Sequence, residues 1–168
     1  KKMQLVLRVL GLEINKEELE KLVKETLRIE PLDEIFSEQL IGQSEYGLCS
    51  ILSDQINREK ENIERAGKKA VVVLVQRNIS IPRYDAKRNL IYTAPFPLIM
   101  AHEIGHALGV RHASFLCNYP GNACGNIGDR LKAGCPHIKD IMGCAGLFGE
   151  TTGFSQRDIN FLRRRYTA

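Results

Sequence analysis

Three of the chain's four histidines lie in the eleven residues from His102 to His112, and Glu103 follows the first of them directly. An α-helix turns about 100° per residue, so His102 and His106 lie about 40° apart, one turn along the same face. Both imidazoles can therefore reach one metal ion, and the carboxylate of Glu103 borders the same face. The spacing predicts a helix that presents a polar, metal-binding face.

Gly109 lies three residues beyond His106 and can adopt the left-handed backbone conformation that ends a helix and reverses the chain. Such a reversal can return His112 to the same ion as a third nitrogen ligand. Three neutral imidazoles leave one tetrahedral position open, which is typical of catalytic zinc, whereas structural zinc sites use four protein ligands. Zinc lowers the pKa of a bound water to about 7, and Glu103 can take its proton and pass it to a leaving amine.

The alternative is an ordinary helix that happens to be rich in histidine. Such a helix gives no reason for the two-histidine spacing, the intervening acid and the glycine stop to occur together. Met100, Ile104 and Leu108 lie on the opposite side of the same helix, where they can pack on a sheet. We therefore interpret residues 102–112 as a catalytic metal site with an apolar anchoring side.

The stretch "HEIGHALGVRH" matches the H-E-x-x-H-x-x-G-x-x-H signature of the metzincin zinc metalloproteases at every specified position, and "DIMG", residues 140–143, resembles their Met-turn. The resemblance implies a mixed α/β (α+β) zincin fold. In that fold a twisted, mostly parallel sheet with two long helices lies above an active-site cleft, and a small irregular lower subdomain carries a C-terminal helix. We expect a single catalytic domain over residues 1–168, with the upper subdomain in residues 1–111 and the lower in residues 112–168.

The resemblance also implies roles for single residues. The three histidines His102, His106 and His112 would bind one catalytic Zn²⁺. Glu103 would be the general base and acid, and Met142 would lie beneath the zinc without binding it. The implied activity is that of a zinc-dependent metalloendopeptidase, which hydrolyses peptide bonds with a zinc-bound water that Glu103 activates. Two alternatives stay open: a zinc-binding domain that holds a partner without proteolysis, and a zinc exopeptidase that trims chain ends.

Two further implications of the resemblance concern the substrate. The strand before the zinc helix, near residues 89–93 with Ile91 and Tyr92, would resemble the edge strand that pairs with an extended peptide. An ordinary sheet edge is an equal alternative for it. Leu147 and Phe148 follow the Met-turn and would line the pocket for the side chain after the scissile bond, although plain core packing explains them equally well.

The residue after His112 is Ala113, which fits none of the metzincin subfamilies. Adamalysins have Asp at that position, astacins Glu, matrixins commonly Ser and archaemetzincins Cys. The ending "FSQRDINFLRRRY" is similar to the terminal helix of matrixins, and the cysteines near the zinc helix resemble those of adamalysins. These partial likenesses assign no subfamily.

Four of the five cysteines, Cys117, Cys124, Cys135 and Cys144, follow the zinc helix. Archaemetzincins hold a second zinc with cysteines in this region, but the gaps here are six, ten and eight residues and include no C-x-x-C pair. Two disulfides are therefore the expected state, with a second, structural zinc and free thiols as alternatives. The remaining Cys49 is expected to be a buried thiol.

Hydrophobic periodicity predicts the elements that carry this site. "KAVVVLVQ" is β-branched and apolar on both faces, so it belongs inside a sheet. Ser155 and Asp158 have the spacing of a capping box at the start of the last helix. Residues 32–48 are ambiguous, and residues 110–140 show no periodicity. The full set comprises strands over residues 4–10, 69–76 and 89–93, and helices over residues 16–28, 50–65, 97–108 and within 154–166.

Composition limits the functional classes. The chain of 168 residues has 43% hydrophobic and 26% charged residues, which is typical of a globular domain, and its apolar runs are far too short to span a bilayer. The net charge of +4 is spread along the sequence without interleaved aromatic and basic residues, which argues against nucleic-acid binding. We expect a monomer whose partner is a peptide or protein substrate, with no nucleic acid and no membrane span.

The first residues, "KKMQLVLRVLG", hold an apolar segment of about seven residues without a small-residue cleavage site. They predict a strand rather than a signal peptide. The compartment stays undetermined by the sequence: the expectation is a cytoplasmic protein if the chain is complete, and a secreted one if a leader or prosegment has been removed.

Overall fold

The computed structural model describes residues 3–44, 49–112, 140–143 and 153–167. Within these residues the chain forms five strands and five helices in a mixed α/β arrangement around one five-stranded sheet. In chain order they are β1 (Gln4–Leu12), α1 (Lys16–Leu27), α2 (Leu32–Ile35), β2 (Phe36–Ser44), α3 (Cys49–Arg65), β3 (Lys68–Gln76), β4 (Arg83–Asp85), β5 (Leu90–Thr93), α4 (Pro97–Ala107) and α5 (Gln156–Tyr166).

The strands lie in the order β2-β1-β3-β5-β4. β1 pairs in parallel with β2 and β3, β3 pairs in parallel with β5, and β4 runs antiparallel to β5. The prediction of a mostly parallel sheet is therefore confirmed. Parallel neighbours need crossover connections, and the helices α1 and α3 supply those that follow β1 and β2.

The central position of β3 explains its unusually apolar sequence. Val71, Val73 and Val75 point to one face of the sheet, Val72 and Leu74 point to the other, and all five side chains are buried. The first face forms a larger core with α1, α4 and α5, and the second forms a smaller core with α3. The prediction that this strand lies inside a sheet is confirmed.

The histidine-bearing helix α4 is anchored by the side opposite its histidines. Met100 and Ile104 are fully buried in the larger core, and Leu108 follows them just after the helix. At the start of the helix, Pro97 occupies the first turn, where its missing N–H removes no helical hydrogen bond. The predicted apolar anchoring side is thus present, and it fixes the position of the histidines relative to the sheet.

The last helix, α5, is held against the end of α4 and against α2. Leu162 is fully buried, and the hydroxyl group of Tyr166 donates a hydrogen bond of 2.7 Å to the carbonyl oxygen of Leu108. The guanidinium group of Arg163 pairs with the carboxylate of Glu34 on α2 at 2.7 Å. These contacts bring one face of α5 next to the chain reversal that follows α4.

The predicted capping of α5 is confirmed. Oγ of Ser155 accepts a hydrogen bond of 3.2 Å from the backbone N–H of Asp158.

Two strands of the sheet were not predicted from the sequence. The ambiguous residues 32–48 contain α2 and β2. β2 lies at the edge of the sheet, so most of its side chains are exposed and its apolar alternation is weak. The sequence does not predict β4, because three residues are too few to show a period.

The edge-strand prediction for residues 89–93 is wrong. β5 lies between β3 and β4, so both of its edges are paired, and β4 is the strand at this edge of the sheet. Ile91 is fully buried in the larger core, and Tyr92 packs against the smaller core, on the face of the sheet opposite α4. The sequence cannot order the strands, because strand order is set by tertiary packing.

Other predictions fall on residues beyond those described above and stay predictions. These residues are Leu147, Phe148, Cys117, Cys124, Cys135 and Cys144, and for Cys49 the backbone alone is described. The division into two subdomains at residue 111 likewise stays a prediction. Across the described parts of the chain, no helix combines the length and the apolar character that a membrane crossing requires.

Candidate metal centre

The imidazole rings of His102, His106 and His112 converge at the end of α4. Nε2 of His106 lies 3.1 Å from Nε2 of His102 and 3.0 Å from Nε2 of His112. The centroids of the three rings are between 4.5 and 5.3 Å apart. The three histidines therefore form one group that could hold a metal ion.

Hydrogen bonds to backbone carbonyls fix the position of the proton on two of these rings. Nδ1 of His102 lies 2.7 Å from the carbonyl oxygen of Ile141, and Nδ1 of His106 lies 2.9 Å from that of Val110. A carbonyl oxygen can only accept, so Nδ1 carries the proton and Nε2 presents a lone pair in the neutral ring. Two such nitrogens at 3.1 Å cannot hydrogen-bond to each other, and they repel unless a cation lies between them.

Burial keeps these two rings neutral. Desolvation lowers the pKa of His102, and desolvation together with the neighbouring histidines lowers the pKa of His106 to about 4. Neutral imidazoles are common zinc ligands, and two nitrogens bound to one zinc at about 2.0–2.1 Å are about 3.3 Å apart in tetrahedral geometry. The donor set and its spacing therefore fit a zinc-like transition-metal ion.

A Schellman motif at the end of α4 returns the chain to the ligand group. Gly109 has a φ of 99°, its N–H donates to the carbonyl of His106 at 3.0 Å, and the N–H of Val110 donates to the carbonyl of Gly105 at 2.9 Å. The same reversal places the carbonyl of Val110 on Nδ1 of His106 and brings His112 beside that ring. The predicted stop and reversal at Gly109 are confirmed.

Residues 140–143 form a turn that packs beneath α4. Oδ1 of Asp140 accepts a hydrogen bond of 2.9 Å from the backbone N–H of Met142, and the carbonyl of Asp140 accepts one of 2.8 Å from Gly143. Ile141, whose carbonyl orients the first histidine, donates its own N–H to the carbonyl of Gly153 at 2.8 Å. These hydrogen bonds fix the turn, and the carbonyl oxygen of Ile141 accepts a hydrogen bond from the candidate ligand His102.

Gly105 leaves room for the side chain of Met142. A Cβ atom added at Gly105 would lie 2.6 Å from Sδ of Met142 and 3.0 Å from Cε1 of Phe154. Met142 is fully buried, and its thioether packs on the backbone of α4 at Gly105. Sequence reasoning missed the need for glycine here, because the motif H-E-x-x-H leaves this position unspecified.

Glu103 is buried, with 6% of its surface exposed, and burial raises its pKa to about 7. Helix geometry puts this residue on the same side as His106, three residues further on. A dication held by the histidines would favour the ionised carboxylate, because an opposite charge offsets the cost of burial. A carboxyl group with a pKa near neutrality can both accept and return a proton.

A pair of acids lies where the turn meets α5. Oδ2 of Asp140 is buried and has no hydrogen-bond partner among the described residues. Burial, followed by the charge of Asp140, raises the pKa of Asp158 to about 6. Two carboxylates cannot hydrogen-bond to each other, whereas a protonated Asp158 can donate to Asp140. Protonation of Asp158 is therefore more favourable here than in an isolated aspartate.

Comparisons with known proteins identify no family for this chain. No protein-family model matches the chain, and no curated protein matches its sequence. The crystal structure of wild-type OgpA from Akkermansia muciniphila aligns with a TM-score of 0.45 and 13% sequence identity, over 99% of this chain and 62% of that chain. The chain thus spans less than two thirds of the length of OgpA. A TM-score of this size carries no conclusion, so the chemistry of the site depends on its own residues.

The convergent nitrogens predict that the histidines bind one Zn²⁺. Chelator-treated protein, titrated with Zn²⁺ against a chromogenic competitor, should show a tight site that His106→Ala weakens by more than about 100-fold. Removing a residue that only hydrogen-bonds to a metal ligand weakens metal affinity by up to about 100-fold, so a larger loss indicates that His106 is itself a ligand. Circular dichroism checks that the variant is folded. Equal zinc affinity of the two folded proteins would contradict the assignment.

The close contact between Gly105 and Met142 predicts that Gly105→Ala destabilises the protein, although helix propensity alone predicts that it stabilises. In an exposed helix, Gly→Ala stabilises by about 1 kcal/mol. Here we expect Gly105→Ala to lower the free energy of unfolding by about 1–3 kcal/mol, because the new methyl group displaces Met142. Urea unfolding measures the change. The double variant Gly105→Ala/Met142→Ala should be more stable than the sum of the single changes predicts. A stabilised single variant would refute the contact.

The raised pKa of Asp158 predicts that Asp158→Asn changes the stability of the fold in a pH-dependent way. The pKa of Asp158 in the folded protein exceeds that of an unfolded aspartate, about 3.9, so ionisation of Asp158 makes the wild type less stable as the pH rises from about 4 to 6. Asparagine does not ionise, and its amide can donate to Asp140. We expect the variant to be more stable by about 1 kcal/mol at pH 7, a value reduced by solvent screening. Its advantage should vanish below pH 4 in urea unfolding; a difference independent of pH would contradict the pairing.

Proposed function

We propose that the protein is a zinc-dependent metalloendopeptidase of metzincin type. The observation that carries the proposal is the convergence of three histidine Nε2 atoms, with that of His106 lying 3.1 Å and 3.0 Å from the other two. The buried Glu103 directly follows His102 in the same helix. The metzincin-like signature in the sequence points to the same four residues. Two neighbouring features support it: the reversal at Gly109 and the packing of Met142 under α4.

In the proposed reaction, His102, His106 and His112 would hold a zinc ion. When bound, zinc supplies a Lewis acid that polarises the scissile carbonyl and makes water a stronger nucleophile. Neutral imidazole ligands would leave the positive charge of the ion available for this purpose. The carbonyls of Ile141 and Val110 hold two of the rings in position through the Nδ1 protons.

Glu103 moves the proton. As a carboxylate it takes a proton from the attacking water, and as a carboxylic acid it hands this proton to the nitrogen of the leaving amine. Burial raises the pKa of Glu103, whereas a bound dication would favour the ionised carboxylate, which is the form that takes the proton from water. Burial of Glu103 also limits competing proton exchange with bulk water.

An extended peptide substrate would pair with the outer edge of β4 as an additional strand. Within the described sheet, β4 pairs with β5 alone, so its other edge can accept a further strand. β4 also contacts α4, so a peptide added to that edge would pass close to the histidine helix. The guanidinium group of Arg83 lies 4.2 Å from the ring centroid of Tyr92, which anchors β4 to its neighbour.

The test is the substitution Glu103→Gln, which keeps the size of the side chain and removes its ability to accept a proton. We expect kcat for peptide cleavage to fall by about 10²- to 10⁴-fold, the usual contribution of a positioned acid-base group, while zinc affinity stays within about twofold. Glu64→Gln, an exposed residue of α3, is the matched control. Cleavage of a library of unstructured peptides is followed by mass spectrometry.

Each outcome of this experiment separates the candidate functions. Internal cleavage that is lost in Glu103→Gln and kept in Glu64→Gln supports the endopeptidase. Full activity of Glu103→Gln would contradict the role of that residue. Products trimmed only from chain ends would indicate an exopeptidase, and zinc binding without any cleavage would indicate a binding domain.

A further inference from the structure

A cavity of about 380 Å³ opens directly beside the metal centre. Its wall includes His112, so the cavity and the ligand group share a side chain. One side is the chain reversal after α4, and the other is a face of α5. The lining residues are Gly109, Val110, Arg111, His112, Arg157, Asp158, Phe161 and Arg164.

The cavity carries an excess of positive charge. Arg111 comes from the chain reversal, and Arg157 and Arg164 come from α5, whereas Asp158 is the single carboxylate in the lining. Arg111 and Arg164 also interact with other groups of the protein. A guanidinium group has five N–H donors, so a contact within the protein leaves donors for a ligand. The cavity is therefore suited to an anionic group.

Helix stability does not account for the arginine at the start of α5. Arg157 is the second residue of that helix, where the positive end of the helix dipole disfavours a cation. Arg157, Phe161 and Arg164 are four and three residues apart, so they lie on one face of the helix. Phe161 forms an apolar base under the reversal, since a Cβ at Gly109 would lie 3.7 Å from its ring. The face has charged groups at the rim and an aromatic ring between them.

We propose that this cavity is a specificity subsite that binds an acidic side chain of the peptide substrate. The inference rests on the proposed peptidase function, because it places the cavity next to the reacting centre through His112. A carboxylate matches the planar, forked donors of a guanidinium group, and the stem of a glutamate side chain can lie on Phe161. The chain would then favour aspartate or glutamate at one position near the scissile bond.

Binding of peptides to the zinc-loaded Glu103→Gln protein tests the subsite without turnover. The probes are fluorescent octapeptides with a single glutamate placed at each position in turn, compared with the same peptides carrying glutamine. We expect one position at which glutamate binds about fivefold more tightly by anisotropy, the factor for an exposed charge pair. The preference should shrink as salt is raised.

Two substitutions on α5 assign the preference to the cavity. The double change Arg157→Gln/Arg164→Gln should abolish the glutamate preference, so that the glutamate and glutamine peptides bind this variant with about equal affinity. Arg165→Gln is the matched control, because Arg165 is an exposed neighbour that does not line the cavity. Equal binding of glutamate and glutamine peptides at every position, no binding of either, or a preference that survives the double change would each overturn the proposal.

Failure of the subsite and failure of the peptidase proposal give different results. Cleavage of peptides by the wild type without a glutamate preference in binding removes the subsite alone. A glutamate preference that depends on Arg157 and Arg164, in a protein that cleaves nothing, supports an acidic-peptide site and removes the peptidase.

Discussion

Lone pairs on neighbouring imidazoles repel each other, and this candidate centre depends on a backbone that nevertheless holds them about 3 Å apart. His102 and His106 can point their Nε2 atoms at one spot because each gives its Nδ1 proton to a carbonyl oxygen. Those carbonyls belong to Ile141 and Val110, so two separate backbone segments set the orientation of the rings. A cation between the nitrogens would turn this repulsion into attraction, which links metal binding to the stability of the fold.

The surrounding fold supplies the rigidity that such an arrangement needs. α4 is pinned by Met100 and Ile104 in the larger core, and its end is held by the hydrogen bond from Tyr166 to Leu108. The backbone of α4 approaches the turn of residues 140–143 closely because Gly105 carries no side chain. A close-packed interior of this kind resists the small displacements that would separate the lone pairs.

The local features of the site could be predicted from the sequence, and the distant ones could not. The face shared by His102 and His106 and the reversal at Gly109 follow from helix periodicity and from the freedom of glycine, which act within a few residues. The place of β5 inside the sheet, and the contact between Gly105 and Met142, depend on segments that meet only in the folded chain. Two strands escaped prediction for other reasons: β4 is too short to show a period, and the exposed edge position of β2 weakens its apolar alternation.

The hydrogen bond between His102 and the carbonyl of Ile141 joins residues 39 positions apart, and Ile141 in turn depends on Gly153. The hydrogen bond that orients the first histidine of α4 therefore needs those later segments to be in place. During synthesis, a growing chain that ends soon after α4 holds two histidines without the carbonyl that aims the first of them. If these rings bind a metal ion, the complete site would form only after contacts between segments far apart in the sequence have been made.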